Sequence, residues 1–231
     1  MVEKNIWVAS FDIGKKNFSF YIEEFNTKYI ESQEYSNISK KYNEDGTVTQ
    51  IFDPILKDIC KLGKTIILEN NDLTQNCDKT SYLDELTFHN MNDLLDKYMD
   101  YWDKCTYFII EKQMSFGKKH NTMALKLGQH CWSYFSIHYG RSKNIIEFPA
   151  YHKTQVLGAE KDKKVTKTGK ISYKAVDKPQ RKKWCVQKGL DIVKSREENS
   201  IVELISKSKK KDDLCDVICQ LQAFKVIQFL K

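Results

Sequence analysis

WVASFDIGKKNFSFYI, residues 7–22, is the stretch that decides the fold of this chain. Residues 6–13 predict an apolar strand with one acid, Asp12, near its end, and residues 18–22 predict a second strand that doubles back after a Gly-Lys-Lys-Asn turn. Because so few of its positions are polar, we expect the first strand to be central in a sheet and covered on both faces. A buried, ionised carboxylate is costly unless it is paired or holds a metal ion. Asp12 therefore needs a partner from elsewhere in the chain.

Length and composition indicate one large domain with an ordinary core. Of the 231 residues, 41% are hydrophobic and 30% are charged, which is the balance of a globular protein. No apolar run is long enough to predict a membrane-spanning helix, and the N-terminal MVEKNIW has neither a signal-peptide core nor an Arg-rich presequence. We therefore expect a reducing compartment, cytoplasmic or nuclear. The seven cysteines form no C-x-x-C pair, so we interpret them as core residues rather than zinc ligands.

The net charge of +7 is concentrated in one segment. Residues 152–183 contain eleven lysines and arginines against three acids, so this segment carries +8 and the rest of the chain −1. One basic segment on a nearly neutral body indicates contact with a polyanion. A merely solvated charged loop is the alternative.

The pattern along the chain predicts strands first, and then helices that alternate with further strands. We expect further strands at residues 28–35, 106–110 and 143–148, and helices at residues 54–62, 80–103, 121–139, 178–194 and 212–230. Residues 65–68 stay open between a strand and the edge of a helix. The sequence thus predicts a single α/β domain, residues 1–231, with a mixed sheet flanked by helices. It also predicts a variable polar insertion at residues 36–82 and a basic loop at residues 158–177.

Four acidic residues lie at the ends of these apolar elements. Glu111 follows the run TYFII just as Asp12 ends the first strand, and Asp213 and Asp216 share one face of the last helix. Asp212 is a candidate N-cap of that helix. The alternative, that acids in a first turn complement the helix dipole, suffices for Asp212 or Asp213. It does not suffice for Asp216, whose sequence neighbours must be buried.

The four acids, if they converge, define a type of chemistry. Ligands that are all oxygen select hard cations such as Mg²⁺ or Mn²⁺ rather than zinc. Two such ions about 4 Å apart can activate a water and stabilise the leaving oxygen of a phosphodiester. Together with the basic segment, the four acids therefore predict a metal-dependent nuclease.

Several motifs carry a resemblance to a known family. The chain reads EKQMSFG from Glu111, ALKLGQ at residues 124–129, KTQVLG at residues 153–158 and KKDDLCD at residues 210–216. In the order strand-Asp, strand-Glu, helical D-x-x-D, they resemble the RuvC-type Holliday junction resolvases of the ribonuclease-H-like fold. The last motif, with the stretch from Tyr173 to residues 181–183, is similar to the resolvases of poxviruses and other large DNA viruses. The resemblance spans residues 11–216 but departs at residues 36–82, after Glu111 and in the lysine-rich insert 159–174.

The resemblance implies roles for individual residues. Catalytic, metal-binding roles are implied for Asp12, Glu111, Asp213 and Asp216. Lys183, with Lys182 as the alternative, would lie near the scissile phosphate and stabilise developing negative charge. For Lys183, an ordinary surface lysine is the competing interpretation.

Contacts with DNA are implied for a second set of residues. Phe116 would stack on an unpaired base and help to open the junction, against the alternative of a core phenylalanine. Lys153 would contact a phosphate, although it too could be an ordinary surface lysine. The remaining members of the set are basic residues near these positions: Lys118, Lys119, Arg181 and Lys182.

The activity that the resemblance implies is that of a virus-encoded Holliday junction resolvase. Such an enzyme is an endonuclease that makes paired nicks in four-way or other branched DNA, with Mg²⁺ or Mn²⁺, during recombination or viral genome processing. Two matched nicks imply a twofold homodimer, for which Trp132, Tyr134 and Phe135 are contact candidates unless they belong to the core. For a viral protein, the expected location is the site of replication in the host cell.

Three other functions remain open. A ribonuclease-H-like nuclease acting on RNA–DNA hybrids would use similar carboxylates without needing a dimer. A non-catalytic junction-binding protein would keep its full activity after Asp12→Asn. An actin-like ATPase or sugar kinase shares the pattern D-I-G-x-x-N at residues 12–17, but nine glycines and no second D-x-G argue against it.

Overall fold

The computed structural model describes residues 5–31, 38, 40–113, 121–165 and 168–230. Its main sheet consists of β1 (Asn5–Asp12), β2 (Phe18–Asn26), β3 (Lys64–Asn71), β4 (Cys105–Lys112) and β5 (Asn144–Pro149). A separate hairpin pairs β6 (Lys161–Val165) with β7 (Ile171–Ala175). The helices are α1 (Thr27–Glu31), α2 (Phe52–Lys61), α3 (Glu85–Lys97), α4 (Met99–Trp102), α5 (Thr122–Tyr139), α6 (Tyr151–Val156), α7 (Lys178–Ser195), α8 (Asn199–Lys207) and α9 (Lys211–Phe229).

Strand β1 lies at the centre of the main sheet, as the sequence predicted. The strand order is β3-β2-β1-β4-β5. Strand β2 pairs antiparallel with β1 and β3, whereas β1, β4 and β5 run parallel to one another. The predicted α/β class, a mixed sheet flanked by helices, is therefore confirmed.

Helices cover both faces of the sheet, and each face has its own core. On one face α9 packs against β1, β2 and β3, and α2, α6, α7 and α8 pack against α9 or beside it. On the other face α3, α4 and α5 supply the apolar cover. Along β1 the side chains alternate, so that Val8 lies in the α9 core and Ala9 and Phe11 in the opposite one. None of the described helices combines the length and hydrophobicity needed to cross a bilayer.

The strand predicted at residues 28–35 is wrong over residues 28–31, and residues 32–35 lie outside the described residues. Helix α1 begins at Thr27, and β3, which includes the segment left open by the sequence, is the strand beside β2. Since β2 already pairs with β1 and β3, it has no free edge for another strand. The predicted polar insertion thus contributes a sheet strand and also α2, which buries Phe52 and Leu56.

The single helix predicted at residues 80–103 is also wrong, because it is broken at Tyr98. The backbone of Tyr98 (φ −107°, ψ 18°) leaves the helical range between α3 and α4. The Asp84 carboxylate caps α3 by accepting a hydrogen bond from the Leu86 amide at 2.8 Å. The buried Trp102 indole donates to the Leu95 carbonyl at 2.7 Å, which fixes α4 against α3 across the break.

Two further features of the basic half differ from the sequence interpretation. Part of the predicted loop at residues 158–177 forms the β6–β7 hairpin, in which Lys161 pairs with Ala175 and Val165 with Ile171. The Lys161 amide donates to the Asp45 carbonyl at 2.7 Å and ties the start of the hairpin to the body of the domain. Helix α8 lies between the last two predicted helices, where the sequence analysis predicted no helix or strand.

A buried cluster of charged side chains ties the end of α7 to β2 and α9. The Glu23 carboxylate receives hydrogen bonds from Arg196 (3.1 Å to each oxygen), Lys225 (2.7 Å) and Gln222 (2.6 Å). The side chains of Glu23 and Lys225 are fully buried, and that of Arg196 is 2% exposed. These bonds satisfy a charge that would otherwise be costly in the core.

All seven cysteines are free thiols, six of them buried, as expected of core residues. Burial raises the pKa of Cys105 to about 12 and holds that of Cys131 far above its usual value. Since the thiolate is the reactive form, we expect Ellman's reagent to titrate only the half-buried Cys77 in the native protein and all seven thiols after unfolding. Rapid reaction of more than one thiol in the native protein would contradict this packing.

Candidate active site

Asp12 and Glu111 come together because they end two neighbouring parallel strands. Phe11 pairs with Ile110 in the β1–β4 register, so Asp12 and Glu111 are the next residues along each strand. Side chains two residues apart share a face of a sheet. Ser10 and Ile109 both face α9, and the two carboxylates follow them on that face.

Helix α9 carries Asp216 to the same place because Gln220 fixes the helix to the sheet. The Gln220 amide nitrogen is buried and lies 3.0 Å from Ser10 Oγ, 3.1 Å from the Phe11 carbonyl and 3.2 Å from the Ile109 carbonyl. Asp216 lies one helical turn before Gln220, over the ends of β1 and β4. Asp213 is three residues further back on the same face.

Lys153 of α6 lies among these acids rather than on the surface. Its Nζ is 3.1 Å from Glu111 Oε2 and 3.5 Å from Asp216 Oδ1, and its side chain is 9% exposed. Burial alone would lower the pKa of Lys153, but the attraction of Asp216, Glu111 and Asp12 raises it above its usual value. Lys153 is therefore a full cation inside an acidic cluster, which excludes the interpretation of an ordinary surface lysine.

The pKa shifts of the acids show that their carboxylates lie close enough to repel one another. Loss of solvent raises the pKa of Asp12 well above its usual 3.8, and Glu111, Asp216 and Asp213 raise it further, against the opposing effect of Lys153. Burial and then the charge of Asp212 raise the pKa of Asp213. The four acids predicted from the sequence thus act on one another within one cluster, which has more negative charge than Lys153 alone offsets.

The donor chemistry of this cluster fits a hard divalent cation. The ligands on offer are carboxylate oxygens, and a bound cation would relieve the repulsion that raises the pKa of Asp12. Within the part of the chain that the structure describes, no three acidic, histidine or cysteine side chains are arranged closely enough to hold a metal ion. The position between Glu111 and Asp216 is instead taken by the Lys153 ammonium.

Helix α7 brings Lys182 and Cys185 to the start of α9. Lys182 forms an ion pair with Asp212, and the Cys185 thiol donates a hydrogen bond to Asp216 Oδ1 at 2.9 Å. Lys182 and Cys185 are three residues apart and therefore share one face of α7. The neighbouring Lys183 side chain is exposed. Of the two lysines offered as alternatives, Lys182 and not Lys183 is thus the one paired at this end of α9. Asp212 is not the N-cap either, because Lys210 holds that position without a side-chain bond.

The predicted DNA contacts are only partly within the structure. Arg181 is exposed on α7 and lines an open groove of about 530 Å³ between the β6–β7 hairpin and the first turns of α7, together with Trp184 and Tyr173. Phe116, Lys118 and Lys119 lie outside the described residues.

Two of the three dimer-contact candidates belong to the core of the domain. Phe135 is fully buried and stacks on Phe108 with 4.1 Å between ring centroids. Tyr134 is 7% exposed and hydrogen-bonds Asp96. Trp132 is half-buried and packs against the same core. The alternative that the sequence left open, intramolecular packing, therefore holds for Tyr134 and Phe135.

Sequence reasoning missed two residues that position the cluster. Gln220 and Gln222 are buried glutamines within the apolar part of α9, four and six positions after Asp216, and that polar interruption of a buried face was a usable signal. Cys185 gave no signal, because a cysteine in an apolar context is most often a core residue. Its contact with Asp216 depends on how α7 packs against α9.

The sheet topology and its flanking helices match a ribonuclease-H-like resolvase fold. The crystal structure of the fowlpox virus Holliday junction resolvase matches 95% of this chain and 98% of its own, with a TM-score of 0.51 at 13% identity. The same resolvase in complex with substrate Holliday junction DNA matches 96% of this chain and 99% of its own, with a TM-score of 0.52 at 16% identity. The likeness is one of fold.

The sequence relatives are proteins of iridescent viruses. Protein 170L of Invertebrate iridescent virus 6 is 36% identical over 233 residues, which cover 97% of this chain and 90% of the relative. Protein 97L of Invertebrate iridescent virus 3 is 27% identical over 224 residues, covering 94% of this chain and 98% of the relative. No protein-family model matches the sequence. The chain belongs to the family of protein 170L.

Proposed function

We propose that this protein is a Holliday junction resolvase, a structure-specific endonuclease that makes paired nicks in four-way and other branched DNA. The observation that supports this most is the acidic cluster of Asp12, Glu111, Asp213 and Asp216 on a resolvase fold. Two strand ends and one helix contribute to it, and its members perturb one another's protonation. A purely structural role does not explain such a cluster, since like charges in a partly buried site destabilise the fold.

The four acids would hold Mg²⁺, with Mn²⁺ as a substitute. Bound there, the metal would supply Lewis-acid stabilisation of the phosphate oxygens and a more acidic water. Gln220 keeps Asp216 at the ends of β1 and β4, and the Cys185 thiol orients its carboxylate. Lys153 and Lys182 supply positive charge for a phosphate next to the acids. We expect in-line attack of water on phosphorus to leave a 5′-phosphate and a 3′-hydroxyl.

Binding of the DNA backbone is assigned to the basic half of the chain. Arg181, Lys161 and Lys163 line the groove between the β6–β7 hairpin and α7, and Arg181 directly precedes Lys182, which pairs with Asp212 of α9. Contacts of this kind are to phosphates and carry no sequence information, so binding should weaken steeply with salt. Phe116, Lys118 and Lys119 follow β4 directly in sequence and remain proposed DNA contacts.

Resolution of a junction needs two matched active sites, so we also propose a twofold homodimer. Ile137, which is 81% exposed on α5, makes the outer face of that helix the better candidate for the contact than the core aromatics. The cysteines of this protein are free thiols, and its relative 170L is a viral protein. We therefore propose that it acts in a reducing compartment of the host cell where the viral genome replicates.

Cleavage of three substrates with and without metal tests the proposal. We expect nicks on opposing strands of a four-way junction in Mg²⁺ or Mn²⁺, no nicks in EDTA, and little cleavage of linear duplex or RNA–DNA hybrid. Preferred cleavage of the hybrid would favour a ribonuclease-H-like nuclease instead. Junction binding with no cleavage under any of these conditions would favour a non-catalytic binding protein, and cleavage that persists in EDTA would contradict a metal site.

A further inference from the structure

The position of Lys153 has a consequence for how the active site is loaded. Its ammonium lies 3.1 Å from Glu111 Oε2 and 3.5 Å from Asp216 Oδ1, between carboxylates that come from the sheet and from α9. A divalent cation that used both oxygens would need this same volume, because its ligands must approach to about 2.1 Å for Mg²⁺. The ammonium and the metal would also repel each other. The two cations therefore compete for one position.

We propose that Lys153 is an internal counter-ion that keeps the site closed to metal until a DNA phosphate draws the ammonium away. The proposal rests on the proposed function, since it assigns the regulation of the same site. The charge of Lys153 offsets part of the repulsion among the four acids, since it opposes the rise in the pKa of Asp12.

The lysine side chain is suited to such an exchange. Its charge sits at the end of a flexible four-carbon chain, so the ammonium can move several ångströms while α6 stays in place. The backbone of Lys153 is fixed, because its carbonyl accepts a hydrogen bond from the Leu157 amide and α6 packs against α9. A phosphate oxygen offers the ammonium a new partner, so the exchange leaves no buried charge unpaired. Metal loading and DNA binding would then favour each other.

Mn²⁺ binding in the absence of DNA tests this directly. We expect Lys153→Met and Lys153→Gln to bind Mn²⁺ at least about tenfold more tightly than the wild type, because the metal no longer displaces a buried ion pair. The readouts are the free Mn²⁺ signal in electron paramagnetic resonance and the rise in melting temperature on adding Mn²⁺. Methionine keeps most of the apolar part of the side chain and glutamine keeps a hydrogen-bond donor, so that at least one of the two variants should fold.

Lys182→Met is the matched control, because Lys182 is also paired with an acid of α9 but does not lie between Glu111 and Asp216. It removes the same charge near the cluster and should change Mn²⁺ affinity by no more than about threefold. The proposal is overturned if neither Lys153 variant gains affinity, or if the gain in Lys182→Met equals theirs.

The outcomes separate this inference from the proposed function. Tighter Mn²⁺ binding by the Lys153 variants supports the counter-ion role even if the wild type cleaves no branched DNA, in which case only the proposed function fails. Junction cleavage by the wild type without a gain in the variants removes the counter-ion role and leaves the resolvase activity standing.

Discussion

Asp216→Asn is expected to lower the rate of junction nicking by at least about 10³-fold while junction binding stays within a few-fold of the wild type. The substitution removes one negative charge from the cluster but keeps Oδ1, which accepts the Cys185 thiol, so that α9 and α7 should keep their packing. Rates come from single-turnover cleavage of a labelled four-way junction in Mg²⁺. Binding is measured in Ca²⁺ or EDTA to exclude cleavage.

Asp191→Asn is the matched control, since it makes the same chemical change on an exposed position of α7. It should leave both cleavage and binding unchanged. Full cleavage by Asp216→Asn would remove Asp216 from the catalytic set. Loss of binding equal to the loss of cleavage would show that Asp216 acts through the structure of the DNA-binding surface instead.

The largest effect on stability is expected from Glu23→Ala, which leaves Arg196 and Lys225 buried without their shared carboxylate. Removing one partner of a buried ion pair typically costs about 3–5 kcal/mol, which is a large part of the stability of a single domain. We expect a loss of at least this size in the free energy of unfolding measured with urea. Glu203→Ala removes an acid from an exposed i,i+4 pair with Lys207 and should cost less than about 1 kcal/mol.

The stability that the buried cluster of Glu23, Arg196 and Lys225 contributes depends on pH. Burial would raise the pKa of Glu23, but Arg196 and Lys225 outweigh burial and hold it below the usual 4.5. The carboxylate therefore stabilises the fold above the pKa of the unfolded chain, and this stability is lost as the pH falls through the lower pKa of the folded state. The difference between wild type and Glu23→Ala should shrink in strong acid. An equal loss in Glu23→Ala and Glu203→Ala at neutral pH would contradict the role of the cluster.

Local sequence patterns were enough to predict the central strand and the starts of helices. The apolar run around Asp12 fixed a central strand because its composition excludes solvent from both faces, whichever strands are its neighbours. Helix starts such as Asp177 were predictable because their side chains cap the helix within three residues, as the bond from the Gln180 amide to Asp177 shows. Predictions failed at residues 28–31 and at Tyr98, where the outcome depends on an occupied sheet edge or on a helix break that a buried indole fixes.

The sequence by itself determined the central strand and the α/β class, because strand and helix periodicity act over a few residues. It also placed the candidate site residues Asp12, Glu111, Asp213 and Asp216 at the ends of apolar elements. Only the tertiary structure decided that Lys153 is a buried cation between two of these acids, that Lys182 pairs with Asp212, and that Gln220 holds the helix over the strand ends. Those contacts join residues 30 to more than 200 positions apart. No local pattern encodes them, since they depend on which faces of the sheet and helices pack together.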